Sequence, residues 1–153
     1  MPARTLAGLL RVESVLAPMP GATREKAITA LVAVLPIADL AAREELLAAV
    51  LAREAAGSTG IGEGVAIPHA RSLRVAAPML AIGRAAAPID FKSADGMPVS
   101  LVFLLAVPAA EPSFHLKTLA AISRIAADKE LMRQLNGATD PRQLFELISN
   151  RPI

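Results

Sequence analysis

Nine consecutive uncharged residues, Val99 to Val107, stand between Pro98 and Pro108. The run is Val-Ser-Leu-Val-Phe-Leu-Leu-Ala-Val, rich in branched aliphatic side chains. It falls well short of the roughly 20 apolar residues that carry a helix across a bilayer. It reads instead as a strand buried on both faces, in the middle of a sheet, with a proline closing each end.

A strand covered twice needs an apolar layer on either side, and the rest of the chain offers helices to build them. Thr23 can cap a helix from Arg24 to about Leu35, with Ile28, Leu31, Val32 and Leu35 on one face and Pro36 ending it. Asp39 can cap a second, Leu40 to about Ala55, with Gly57 as its stop. Ser113 is positioned to cap a third, from Phe114 to about Asp128, continuing over Lys129–Leu135 until Asn136-Gly137. Asp140-Pro141 opens a last helix, Arg142 to Ser149. Shorter pieces read as an N-terminal element at Leu6–Leu10, strands at Ser14–Leu16, Val65–Ile67 and Met79–Arg84, and a loop from Phe91 to Gly96. Pro68 is expected to close the Val65–Ile67 strand. The order is helix, helix, strands, helix, helix, without regular βαβ alternation. The expected fold is α/β, a mixed β-sheet flanked by helices on both faces, as one domain over residues 1–153.

Composition narrows the function. The chain is 54% hydrophobic but only 3% aromatic, so its core is built from Ala, Leu, Val and Ile. Zero cysteines exclude a disulfide scaffold, thiolate metal sites and a cysteine nucleophile. Their absence also fits a cytoplasmic protein. A net charge of +2, no block of like charge and few stacking aromatics argue against nucleic acid. No charge-free stretch reaches a membrane span, and Arg4, Arg11 and Glu13 interrupt any leader-like run.

The chemistry concentrates around Gly57-Ser58-Thr59-Gly60-Ile61-Gly62-Glu63-Gly64, followed by Val65-Ala66-Ile67-Pro68-His69-Ala70-Arg71. Glycines at this density let backbone N–H groups approach an anion, the amide of Gly60 among them, and Ser58 and Thr59 can add hydroxyls. Both hydroxyls could equally just stabilise the turn. A neutral imidazole at His69 is a competent phosphoryl acceptor near neutral pH. An isolated histidine there is also often no more than a partly buried ring satisfied by backbone groups. His115 heads the stripe His115, Leu119, Ile122, Ala126, so it should face the sheet from the first turn of its helix. There it is either a core histidine or a partner for a phosphate on His69. Arg53 is either a solvated charge at a helix end or a fork aimed at phosphoryl oxygens. Two histidines plus Glu63 are too few for a metal site. The glycine pattern lacks the ending of a phosphate-binding P-loop and the helix of a dinucleotide site, and there is no Gly-x-Ser-x-Gly elbow.

Four segments together resemble a known family. They are Arg53-Glu54 with Gly57-Ser58-Thr59-Gly60-Ile61-Gly62; Gly64-Val65-Ala66-Ile67-Pro68-His69; Asp90-Phe91 with Asp95-Gly96-Met97-Pro98-Val99 and Leu101 to Pro108; and His115-Leu116 with Leu119-Ala120. The chain is similar along nearly its whole length to the mannitol/fructose-type IIA domains (EIIA type 2) of the bacterial phosphoenolpyruvate-dependent phosphotransferase system, most of all to their nitrogen-regulatory branch.

The resemblance implies that His69 accepts phosphate from a phosphorylated HPr-type carrier. It implies that His115 is the second active-site histidine and that Arg53 interacts with the phosphoryl group. Loop amides and hydroxyls at Ser58, Thr59 and Gly60 are expected to hold phosphoryl oxygens, with no metal and no cofactor required. Glu63 stands where the family varies, which leaves the branch open. The downstream partner is expected to be a regulatory protein target or, in a sugar-permease setting, a separate IIB protein. The remaining alternative is a binding module that keeps the fold without phosphotransfer.

Overall fold

The charge-free run is the central strand of the molecule, and its side chains alternate between two separate cores. A computed structural model describes residues 5–153, the side chains of 112–114 excepted. Arg4 and the side chain of Ser113 therefore lie outside the described residues.

The strands are β1 (Leu10–Met19), β2 (Gly60–Gly62), β3 (Val65–Ala66), β4 (His69–Ser72), β5 (Met79–Ile89) and β6 (Val99–Pro108). The helices are α1 (Arg24–Ala33), α2 (Leu40–Ala56), α3 (Pro112–Ala127), α4 (Lys129–Asn136) and α5 (Pro141–Ser149). The sheet runs β1-β5-β6-β3-β2, with β4 also paired to β6. β1 and β5 are parallel, β5 and β6 antiparallel, and both β3 and β4 run parallel to β6.

Leu101, Phe103, Leu105 and Val107 enter a core with Ile122 and Ile125 of α3, Leu131 of α4 and Leu144 of α5. Val102, Leu104 and Ala106 enter a second core with Ile28 and Leu31 of α1 and Leu46 and Val50 of α2. Successive strand side chains point to opposite faces, so a strand in mid-sheet must be apolar at every position. This is the expected mixed sheet with helices on both faces. The caps act as the sequence suggests: Thr23 accepts from Lys26 N, Asp39 from Ala41 N and Ala42 N, and Asp140 from Gln143 N.

Several boundaries differ from expectation. Helix α1 stops at Ala33, before Pro36, and α3 starts at Pro112 with Glu111 at its N-cap position, which puts Ser113 inside the first turn. Asp128 breaks what reads as one long helix: its backbone is extended and its side chain accepts from Leu131 N to start α4. Strand β1 covers ten residues rather than Ser14–Leu16 alone, because α5 covers it and β5 pairs with it.

The largest difference lies around Pro68. It interrupts pairing with β6 without ending it, because its carbonyl still accepts from Leu105 N while its missing N–H needs no partner. Residues 69–72 then pair with Leu105–Pro108. His69 is therefore a strand residue and not a loop residue.

Glycine at position 83 is imposed by packing. A Cβ there would stand 2.2 Å from Met19 Sδ and 3.1 Å from Met19 Cβ. Met19, the last residue of β1, is fully buried in the core that α1 covers, so it can yield only by disturbing that core. Gly83→Ala is expected to destabilise the fold by about 1–3 kcal/mol, read as a lower urea midpoint at unchanged slope.

Candidate functional site

Strand β4 carries the first part of the site. His69 lies opposite Leu105 and Arg71 opposite Val107, so both occupy the face that Leu105 and Val107 present to α3. His115, in the first turn of α3, closes on His69 from that layer. The two ring centroids are 4.6 Å apart and the planes are inclined at 59°. Arg53 arrives from the last turn of α2, in the opposite helix layer. It reaches the same place because α2 packs against β4, which among the described residues pairs with no strand other than β6. Ala49, Arg53, His69, Ala70, Arg71 and His115 line one cleft of about 360 Å³. Ala49 precedes Arg53 by one helical turn, and its small side chain leaves that volume open.

His69 Nδ1 lies 2.7 Å from the carbonyl oxygen of Ile67. A carbonyl only accepts, so in the neutral ring Nδ1 carries the proton and Nε2 keeps its lone pair. His115 presents the complementary tautomer. Its Nδ1 is buried with no hydrogen-bond partner among the described residues, and its ring lines the cleft. A proton on Nε2 leaves only a lone pair unmatched inside and puts an N–H donor on the cleft side.

Both imidazoles are held below the ordinary histidine range. For His69 burial is the main cause, Arg53 and Arg71 push the same way, and the Ile67 carbonyl and Glu54 oppose it. For His115 burial again leads, followed by His69, Arg71 and Arg53. The site therefore rests as two neutral rings beside two cations. Both rings bind protons less readily folded than unfolded, so the unfolded chain takes up the excess protons as the pH falls below about 6.5. Their contribution to stability is complete above that value and is lost as the pH falls through the lowered folded values. A histidine NMR titration should place both midpoints below 6.5, the ordinary value, and the urea midpoint should drop from pH 7.5 to pH 5. A midpoint at or above 6.5 for either ring would contradict this account.

Arg53 Nη1 donates to the carbonyl of Gly57 at 2.7 Å, which ties the helix end and complements its negative pole. Next to it, Glu54 is only 3% exposed; it accepts from the backbone N–H and the hydroxyl of Thr59, and Arg24 stands 3.9 Å away.

The structure brings Arg53, His69 and His115 together, whereas Ser58, Thr59 and Gly60 are turned to other tasks. Ser58 Oγ donates to the carbonyl of Phe91 and accepts from Gly60 N at 3.0 Å. Thr59 N and Oγ1 belong to Glu54. The glycine run is a β-hairpin rather than an anion cradle: β2 pairs antiparallel with β3, and Glu63 and Gly64 at its tip have φ of 58° and 78°. Glu63 N is taken by Asp95 Oδ2 at 3.0 Å. Gly60 also has a packing reason, since a Cβ there would fall 2.0 Å from Ser93 Oγ. Arg71, which the sequence offers only as a cation beside His69 and not as a site residue with a role, also lines the cleft. Its spacing of two from His69 marks it only once residues 69–72 are known to be a strand.

Among the described residues no group of three or more His, Cys, Asp or Glu side chains is placed to share a metal ion, and no helix is long and apolar enough to cross a membrane. The arrangement suits a dianionic group received by a neutral ring: one unprotonated nitrogen, one N–H donor and two guanidinium groups around a small cleft.

Known proteins resemble the chain in sequence and in fold. A nitrogen regulatory protein of Pseudomonas aeruginosa is 32% identical over 92% of this chain and 96% of its own length. The fructose-specific EIIABC component of Bacillus subtilis is 37% identical over 82% of this chain, which spans only 20% of that longer protein. The crystal structure of the nitrogen regulatory protein IIA-Ntr from Neisseria meningitidis superposes with a TM-score of 0.84 at 26% identity, over 93% of this chain and 97% of that one. The model of the family described as phosphoenolpyruvate-dependent sugar phosphotransferase system, EIIA 2, matches residues 9–151, and the chain belongs to that family.

Proposed function

We propose that this chain is a phosphohistidine carrier that accepts a phosphoryl group on His69 Nε2 from an HPr-type phosphocarrier and acts as a regulatory switch in the cytoplasm. The observation that carries the reading is the pair of imidazoles with ring centroids 4.6 Å apart, with Nδ1 of His69 held 2.7 Å from the Ile67 carbonyl, which leaves Nε2 as the acceptor nitrogen.

In the transfer, the Nε2 lone pair of His69 forms a bond to the phosphorus of the carrier's phosphohistidine. The old phosphorus–nitrogen bond breaks, and its electron pair returns to the carrier's imidazole. That ring carries a proton on its other nitrogen and departs neutral. His69 keeps its own proton on Nδ1, and the Ile67 carbonyl holds the resulting phosphoimidazolium. His115 Nε2–H and the Arg53 guanidinium bind the phosphoryl oxygens as charge moves, so the protein contributes positioning and electrostatics. A dianion at the cleft then alters which protein surfaces bind there.

Incubation with labelled phosphoenolpyruvate, enzyme I and the carrier tests the reading. An acid-labile, base-stable label that disappears in His69→Ala and persists in His115→Ala supports it. No label on the wild type, or label retained in His69→Ala, overturns it and leaves a binding module. A second reading draws on the relationship to the fructose-specific EIIABC component. There the chain would pass phosphate to a cysteine of a IIB protein, for its 153 residues contain no cysteine. Discharge of the label on adding a IIB protein distinguishes this from the regulatory reading. The regulatory reading is preferred because the nitrogen regulatory relative matches over 96% of its length.

A further inference from the structure

We propose that Arg71 is a second phosphoryl-binding cation of the site, forming with Arg53 a two-armed clamp around a phosphoryl group on His69. The proposal deepens the phosphocarrier reading and rests on it.

A phosphoryl group on an imidazole brings close to two negative charges and three acceptor oxygens. Three amides of the glycine-rich segment are already engaged: Thr59 N on Glu54, Gly60 N on Ser58, Glu63 N on Asp95. The arginines lining the cleft are Arg53 and Arg71, which come from different elements, α2 and β4. Arg53 already gives one N–H to Gly57. Arg71 is exposed and, among the described residues, makes no ion pair with a carboxylate. It stands two positions from His69 on the same face of β4, about 7 Å along the strand. That distance suits a long, flexible side chain with a planar fork reaching back over the ring. Arg71 also acts electrostatically on both imidazoles, favouring their neutral forms. One residue thus adds to the burial that favours a free acceptor nitrogen before transfer and neutralises the charge that arrives with it.

The test separates a phosphoryl contact from a docking contact. Docking changes forward and reverse rates together and leaves the partition of phosphate between carrier and protein unaltered. A bond to the phosphoryl group in the product shifts that partition. Wild type, Arg71→Ala, Arg71→Lys and, as a net-charge control, Arg142→Ala at the exposed start of α5 are equilibrated with phosphorylated carrier.

Arg71→Ala should reduce the phosphorylated fraction at equilibrium by about tenfold, the size expected for one charge-assisted contact. Arg71→Lys should recover part of it, and Arg142→Ala should match the wild type. In phosphorus NMR the phosphoryl group of Arg71→Ala should titrate at a higher pH than the wild type, because a neighbouring cation is gone. An unchanged partition with a superimposable phosphorus titration overturns the proposal while the labelled wild type keeps the carrier reading intact. A fall in rate alone, with equal partition, also overturns it and makes Arg71 a docking residue. A wild type that takes no label overturns both.

Discussion

His69→Gln is expected to lower the rate of phosphoryl acceptance by at least about a thousandfold, to the background of the assay. Glutamine approximates the size of the ring but offers no nucleophilic nitrogen, since its amide lone pair is delocalised. The substitution sits on the half-exposed edge of the sheet, so the fold should survive and thermal melts should differ little from the wild type. His115→Ala should fall in a different class. It removes a donor and leaves the acceptor, so acceptance should slow by roughly 10²-fold, as for loss of one oxyanion donor, while label still accumulates. Initial rates of labelling from the phosphorylated carrier separate the two. Comparable rates for His69→Gln and the wild type would mean that another group receives the phosphate.

The second large effect is on stability. Phe103 is fully buried at the centre of β6, opposite Ile82 of β5, and its ring belongs to the core shared with α3, α4 and α5. Phe103→Ala should cost about 3–5 kcal/mol, combining lost transfer energy with the cavity left behind. For a chain of this size that lowers the melting temperature by on the order of 10 °C. Urea unfolding should show a lower midpoint at unchanged slope. A loss under about 1 kcal/mol would mean that the layer above Phe103 collapses freely and that this face of β6 is not rigidly packed. The two substitutions test separate things: the acceptor lies at the sheet edge and the packing that holds β6 lies behind it.

The geometry of the site was legible in the sequence where a residue's position follows from its neighbours along the chain. The stripe from His115 through Ile122 and Ala126 indicates a ring facing the sheet, and the ring is 8% exposed against His69. The glycine run misled for a definite reason. Free amides were inferred from local composition, but their partners are Glu54, five residues back, and Asp95, 32 residues ahead. Such a partner is invisible until the 90–98 loop is folded against the hairpin.

By itself the sequence determined the elements whose signal is local: an apolar run bounded by prolines and helices with capping side chains at Thr23, Asp39 and Asp140; it also singled out two histidines as candidates for the site. The tertiary structure alone decided that His-Ala-Arg-Ser at 69–72 is a strand, for those four residues carry no strand pattern and are ordered only by β6 beside them. That pairing puts Arg71 on the face of His69 and brings the end of α2 to the same cleft. The physical reason is that backbone hydrogen bonds between distant segments set the register, and the register decides which side chains share a site.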